Sequence, residues 1–294
     1  MTEPANPEGF ARALVDLLDI EQIDTDLFRG PRLPGAVGRV FGGQVIAQAL
    51  QAAQRSTEPP KIAHSLHAYF MRPGNDDFPI IYRVVRDFDG RSFTNRRVIA
   101  TQHGIPIFNM TASFQTPEDG MAHQDAMPDV PDPEGLADEA ALRAARAEPA
   151  SQRLQALART GRPIEIRPTD PDSWLRSGRP GPSTKYLWIR SRGSIGDDPA
   201  LHRAALAYAS DRGLISAAML PHGVTGFEDD MQTASLDHAL WLHEPFRIDE
   251  WLLYAMDSPW AGHARGLARG RIFTRDGRLV ASTAQDGLMR RRNG

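Results

Sequence analysis

His64-Ser-Leu-His-Ala-Tyr-Phe-Met-Arg-Pro73, followed by Ile80-Ile81-Tyr82, reappears 172 residues later as Leu236-Asp-His-Ala-Leu-Trp-Leu-His-Glu-Pro245, followed by Leu252-Leu253-Tyr254. Few identities survive, but Pro73 falls on Pro245 and Tyr82 on Tyr254 at the same offset. After one inserted residue the register resumes at 173, with Gly104-Ile-Pro-Ile107 over Gly277-Arg-Leu-Val280. Self-similarity at a fixed offset marks a duplicated folding unit. Two copies of roughly 110–130 residues read as a fused pair of domains, not a solenoid.

Outward from this echo, each copy has the same element order. In the first, residues 9–20 form an amphipathic helix, and Asp24, Leu27, Phe28 and Arg29 lead into a strand. Gly42-Gly43 open a helix whose apolar stripe is Val45, Ile46, Ala49, Leu50 and Ala53. Strands follow near 63–71, 79–87, 92–101 and 105–115, with Asp89-Gly90 and His103-Gly104 as turns. In the second copy, strands near 164–168 and 185–192 precede a helix over 199–218. Strands near 232–243, 250–257, 264–274 and 279–290 complete it, with Asp276-Gly277 as a hairpin turn. A single helix followed by hairpin-linked strands predicts an α+β fold, a curved antiparallel sheet wrapped on one long helix. That is the hotdog arrangement, here twice. The expected divisions are an N-terminal unit over 9–116, an acidic, proline-rich connector with an Ala/Arg/Glu helix (about 136–158) within 117–163, and a C-terminal unit over 164–291.

Composition narrows function mainly by exclusion. A net charge of −3 gives no field that would favour nucleic acid or a membrane surface. Lysine occurs only at Lys61 and Lys185, so arginine carries the positive charge. With no cysteine there are no disulfides, thiolate nucleophiles or Cys-based metal sites. The N-terminus lacks a basic leader, and no stretch of about 18 apolar residues occurs, so a cytoplasmic protein without membrane insertion is expected. Gly-x-Ser-x-Gly, P-loop, dinucleotide-binding and His-Glu-x-x-His motifs are absent.

More specific signatures lie in both halves. The second contains Tyr208-Ala-Ser-Asp211, Pro221-His-Gly223, Ala234-Ser-Leu-Asp-His-Ala-Leu-Trp-Leu-His243, Trp251-Leu-Leu-Tyr254, Ala264-Arg-Gly266 and Leu279-Val-Ala-Ser-Thr-Ala-Gln285. The first contributes Phe41-Gly-Gly-Gln-Val45, His64 to Phe70 and Arg91-Ser-Phe93. Together they resemble the type II acyl-CoA thioesterase family (bacterial thioesterase II and related peroxisomal enzymes), over nearly the whole chain outside 117–163. The resemblance implies a double hotdog joined as an internal pseudo-dimer, hydrolysis of acyl-CoA without cofactor or metal, and assembly of chains into dimers or tetramers. It also implies that an Asp, a Thr or Ser, and a Gln hold the hydrolytic water. These fall on Asp211, Ser235 and Gln285, with serine where the bacterial type enzyme has threonine.

On their own chemistry these three leave alternatives open. Asp211 lies on an apolar helix stripe, where a carboxylate is costly unless paired, yet with Gly213 two residues on it also reads as a helix-terminal acid. Gln285 shares a strand face with Leu279, Ala281 and Met289, where a satisfied core amide or sheet-edge cap is the plainer reading. Ser235 at a strand start is ordinarily structural. The duplication adds an independent handle: Ser235 matches Ala63 and Gln285 matches Ala112. A polar requirement of the fold would apply to both copies, so the asymmetry points to one constellation per chain. His64, Arg72, Arg91 and Trp241 are carried as candidate substrate-binding residues. Arg72 and Arg91, with Arg96 and Arg97, are candidates for coenzyme A phosphates, against solvated surface arginine. His64 and His67 are expected on opposite strand faces, and His238 reads as a satisfied core histidine. Two rival functions stand beside hydrolysis: a non-catalytic acyl-CoA-binding protein and a hotdog hydratase or dehydratase.

Overall fold

The computed structural model describes residues 7–32, 38–145, 162–172, 178–225, 228 and 230–292. The first copy comprises α1 (Pro7–Leu18), β1 (Glu21–Asp24), β2 (Leu27–Gly30), α2 (Gly42–Arg55), β3 (Ile62–Phe70), β4 (Ile80–Asp89), β5 (Phe93–Gln102) and β6 (Ile105–Gln115). After a short α3 (Glu139–Ala145), the second comprises β7 (Ile164–Pro168), β8 (Thr184–Ser191), α4 (Pro199–Ser210), α5 (Leu214–Met219), β9 (Met231–Ser235), β10 (Asp237–Leu242), β11 (Leu252–Gly262), β12 (Arg265–Thr274) and β13 (Leu279–Arg291). The strands form one sheet in the order β1-β2-β4-β5-β6-β3-β10-β13-β12-β11-β8-β7, with β9 also on β13. The two hotdogs therefore share a continuous sheet.

The seam is the antiparallel pair β3–β10, in which Ala239 faces His67, His238 faces Ala68 and Leu240 faces Leu66. His67 and Ala239 are also counterparts in the duplication, since 239 − 67 = 172. The pseudo-two-fold axis thus passes through this residue pair. On the concave side, the expected α2 stripe of Val45, Ile46, Ala49, Leu50 and Ala53 is fully buried in a core that runs through both halves. Helix α4 starts at Pro199 behind an Asp198 cap, whose carboxylate accepts the Ala200 N–H at 2.9 Å.

Helices α2 and α4 lie antiparallel, each one's start against the other's end. Gln54 Nε2 donates to the Ala200 carbonyl at 3.1 Å, and a Cβ on Gly43 would stand 2.3 Å from the Tyr208 carbonyl oxygen. Backbone meets backbone at Gly43, so no flexible atom can yield. Gly43→Ala is expected to destabilise the chain by about 1–3 kcal/mol, read from urea unfolding midpoints.

The structure departs from the sequence expectations at several points. The helix expected over 199–218 stops at Ser210 and restarts at Leu214, because Gly213 takes a left-handed φ of 77°. The strand expected over 232–243 breaks at Leu236, whose N–H donates to Asp286 O and whose carbonyl accepts from Phe70 N–H. In the first copy a β-bulge falls at His64, the counterpart of Leu236 (236 − 64 = 172). This irregularity is therefore a feature of both units. It reverses the strand's parity, so Ala63 and Leu66 are both core residues, and His64 and His67 share the outer face instead of lying on opposite faces. Another register shift, at Phe273↔Leu279, turns Leu279 away from Ala281 and Gln285 onto the outer face.

The acidic connector has no helix or strand from 117 to 132, but it is docked on the back of the second half of the sheet. Met127, Val130 and Leu136 pack against Trp188, Trp251 and Phe273, and the Trp188 indole donates to the Pro131 carbonyl at 2.9 Å. Its carboxylates meet arginines of that sheet, with Asp125 on Arg271 at 2.9 Å and Glu134 on Arg275 at 2.6 Å. These exposed pairs set position more than stability. Of the expected 136–158 helix, Glu139–Ala145 is helical and 146–158 lies outside the described residues.

Candidate active site

The break between α4 and α5 brings Asp211 to the foot of a cleft. Ser235 Oγ donates to Asp211 Oδ1 at 3.0 Å, and Gln285 Nε2 donates to the same oxygen at 3.2 Å and to Ser235 Oγ at 2.5 Å. The three residues that the resemblance singles out thus meet at one carboxylate oxygen. The first half contributes a fourth group, the Gly43 backbone N–H, which donates to the same carboxylate. A Cβ on Gly42 would fall 2.6 Å from Asp211 Oδ2 and 3.0 Å from the Phe70 ring, so the bare backbone is what lets α2 approach. Burial raises the Asp211 pKa; His238 nearby and the donors Ser235, Gln285 and Gly43 oppose that rise.

Behind the carboxylate the polar chain continues into the core. Gln285 Oε1 lies 3.1 Å from His238 Nδ1, and His238 Nε2 lies 2.9 Å from Ser210 Oγ. Tyr254 donates its hydroxyl to the Ser210 carbonyl at 2.9 Å and contacts Thr283 Oγ1 at 2.9 Å. In front is a cleft of about 530 Å³, walled by Val40, Phe41, Phe70, Phe108 and Ile215, with Arg39 and Arg72 also on its lining. Its apolar walls suit an alkyl chain, and its arginines suit an anion.

Arg72 is the one residue of the substrate-binding set on this lining; its guanidinium donates to the Pro106 carbonyl at 2.8 Å. His64 bonds Ser113 Oγ at 2.9 Å, six residues along β3 from Phe70, or about 20 Å at the usual rise per residue. Arg91 is exposed in the β4–β5 turn, toward that same far end. Trp241 stands edge-on to His67 on the outer face, their ring centroids 5.2 Å apart. Arg96 is neither solvated nor free for phosphate: it is buried, bonding the Ser56 carbonyl and Asp89. Arg97 pairs with Asp87 on the surface at 3.0 Å. The sequence reading missed Arg39, the Gly42-Gly43 approach and the link from His238 to Gln285. One available signal was that His238 falls on Leu66 at the 172 offset. Among the described residues, no three His, Asp or Glu side chains gather as a metal site, and no helix is long and apolar enough to cross a membrane.

Comparison with known proteins shows the family. An acyl-CoA thioesterase family profile matches residues 157–288, and a profile for the acyl-CoA thioesterase N-terminal domain matches 31–115. Human acyl-coenzyme A thioesterase 8 is 41% identical over 97% of this chain and 92% of its own length. The chain belongs to the acyl-CoA thioesterase family. Acyl-CoA thioesterase 2 of Haemophilus influenzae is 40% identical to this thioesterase-family chain, over 94% of it and 96% of its own length. The crystal structure of an acyl-CoA thioesterase II from Mycobacterium marinum superposes with a TM-score of 0.78, at 41% identity over 96% of this chain and 99% of that one.

Proposed function

We propose that this chain hydrolyses acyl-CoA thioesters to free fatty acid and coenzyme A, as a cytoplasmic enzyme of lipid metabolism that assembles as a homodimer or tetramer. What carries the reading is the meeting of Asp211, Ser235 and Gln285 at one carboxylate oxygen beside an apolar cleft. Water bound there gives a proton to Asp211 as its oxygen attacks the thioester carbonyl carbon. Ser235 and Gln285 hold that water, and the C–S bond then breaks, with the proton passing to the departing thiolate. The start of α2 presents the Gly42 N–H to the carbonyl oxygen as charge develops, since Gly43 serves Asp211 and the Gln44 and Val45 N–H groups are turned to the Phe41 carbonyl. The acyl chain lies along Phe41, Phe70 and Phe108, and Arg39 and Arg72 attract the coenzyme A phosphates. Residues 9–116 serve as scaffold and wall and lend backbone amides of α2, 117–163 serve as connector, and 164–291 carry the catalytic side chains. A hydratase reading is disfavoured because both ring nitrogens of buried His238 are engaged.

The test is turnover of palmitoyl-CoA, a shorter acyl-CoA and an enoyl-CoA, following thiol release and the enoyl chromophore. Thiol release supports hydrolysis. Loss of the chromophore without thiol points to hydration, and saturable binding without turnover points to a binding module. The pH profile offers a further check. Asp211 must be ionised to accept a proton, and burial raises its pKa. The acid limb of kcat/KM should therefore lie above the ordinary aspartate value of about 4, with activity rising with pH through it. A limb at or below that value would remove Asp211 as the base.

A further inference from the structure

Position by position, the two copies differ at more than two residues of this network. Helix α4 is α2 displaced by 157 (199 − 42), and at that offset Gly43 matches Ala200 and Gln54 matches Asp211. Both helix–helix contacts obey it: Gly43 meets Asp211, and Gln54 meets Ala200. Ser210 then matches Ala53, His238 matches Leu66, and Thr283 matches Met110. With Ser235 on Ala63 and Gln285 on Ala112, the first copy has small or apolar residues wherever the second builds its polar chain, apart from Gln54 and from Tyr82, which matches Tyr254. Leu66 and Ala112 are cross-strand partners on β3 and β6. One step beyond Ala239↔Ala284, the same register sets His238 beside Gln285, where they bond.

We infer that His238 is a positioning residue for the hydrolytic site: its Nδ1–H holds the Gln285 amide with nitrogen toward Asp211 and Ser235. This rests on the hydrolytic reading above. The assignment follows from donor chemistry. An ionised carboxylate only accepts, so the Gln285 atom 3.2 Å from Asp211 Oδ1 must be the NH₂ nitrogen. The amide oxygen therefore faces His238 Nδ1 at 3.1 Å, and that nitrogen must carry the proton. A flipped amide would set its oxygen against the carboxylate and a second donor against Nδ1–H. Ser210 Oγ fixes the far side of the ring at 2.9 Å. With His238 at 1% exposure and Gln285 at 1%, no solvent competes for either group.

The experiment compares His238→Leu, His238→Asn, His238→Gln, Gln285→Ala and His238→Leu/Gln285→Ala, each checked for a native melt. Leucine is what the first copy holds at this position, asparagine retains a donor where Nδ1 stands, and glutamine reaches only toward Nε2. Expected are a kcat loss of about 10–100-fold for His238→Leu with KM little changed, and a similar loss for His238→Gln. His238→Asn should restore kcat to within a few-fold of wild type, and His238→Leu should add nothing to Gln285→Ala. Wild-type kcat in His238→Leu, or equal loss in His238→Asn, with Gln285→Ala inactive, overturns the positioning role and leaves the hydrolytic site standing. Wild-type turnover in Gln285→Ala would sink the site reading itself.

Discussion

Asp211→Asn is expected to lower kcat/KM for acyl-CoA hydrolysis by about 10²–10⁴-fold while raising thermal stability at neutral pH. The two effects share one cause. The carboxylate is desolvated where it must act, so its pKa is raised in the folded protein. The folded state therefore holds this proton more tightly than the unfolded chain does. Stability from this group is fully present below the unfolded pKa of about 3.9 and is lost as pH rises through the folded value, the reverse of a salt-bridged aspartate. Above the folded value that loss is complete. Asparagine is uncharged and its oxygen can still accept from Ser235 and Gln285, so the loss is avoided. Melts at pH 7 and at about pH 4 should show the variant's advantage shrinking in acid. A variant that is inactive and also less stable at pH 7 would count against a desolvated carboxylate.

The second large effect is at Gln285. Gln285→Ala is expected to cost about 10²–10³-fold in kcat, comparable to removing one preorganised donor from an oxyanion hole, with KM within a few-fold. Folding should survive, because Ala112 fills the equivalent place in the first half. Adding Ser235→Ala, which installs the methyl group that Ala63 carries at the matching position, should cost far less than the product of the single losses, since both residues serve one water. Initial rates at saturating palmitoyl-CoA decide it. A drop confined to KM would make Gln285 a substrate contact and not a donor to the reacting water.

Much of this architecture could be read from residues alone, because the duplication samples each position twice. Proline, tyrosine and glycine landmarks located both units, and the mismatches Ala63/Ser235 and Ala112/Gln285 singled out the half with unusual polarity. Harder to see were features that depend on breaking a period. The bulge at His64 and the break at Leu236 are single-residue parity changes, which alternation of apolar side chains smooths over. Gly213 ends α4 two residues after Asp211, but the surrounding apolar run reads through it as one helix. His238 looked like a core residue because it is one; that its partner is Gln285 depends on cross-strand register, which a single strand does not carry. Arg96 looked like a surface cation, and only the fold shows that it closes the end of α2 from within.

The axis through His67 and Ala239 has a consequence for how activity is counted. A symmetric dimer of separate hotdogs would carry two equal sites, whereas here the mirror position holds Gln54, Ala63 and Ala112. The site that remains draws Asp211, Ser235 and Gln285 from one half and the Gly43 amide from the other. On the proposed reading, neither half contains a whole catalytic centre, and the pair contains one. Active-site titration should therefore give one equivalent per polypeptide, and stoichiometry is where this molecule stops behaving as two copies of anything.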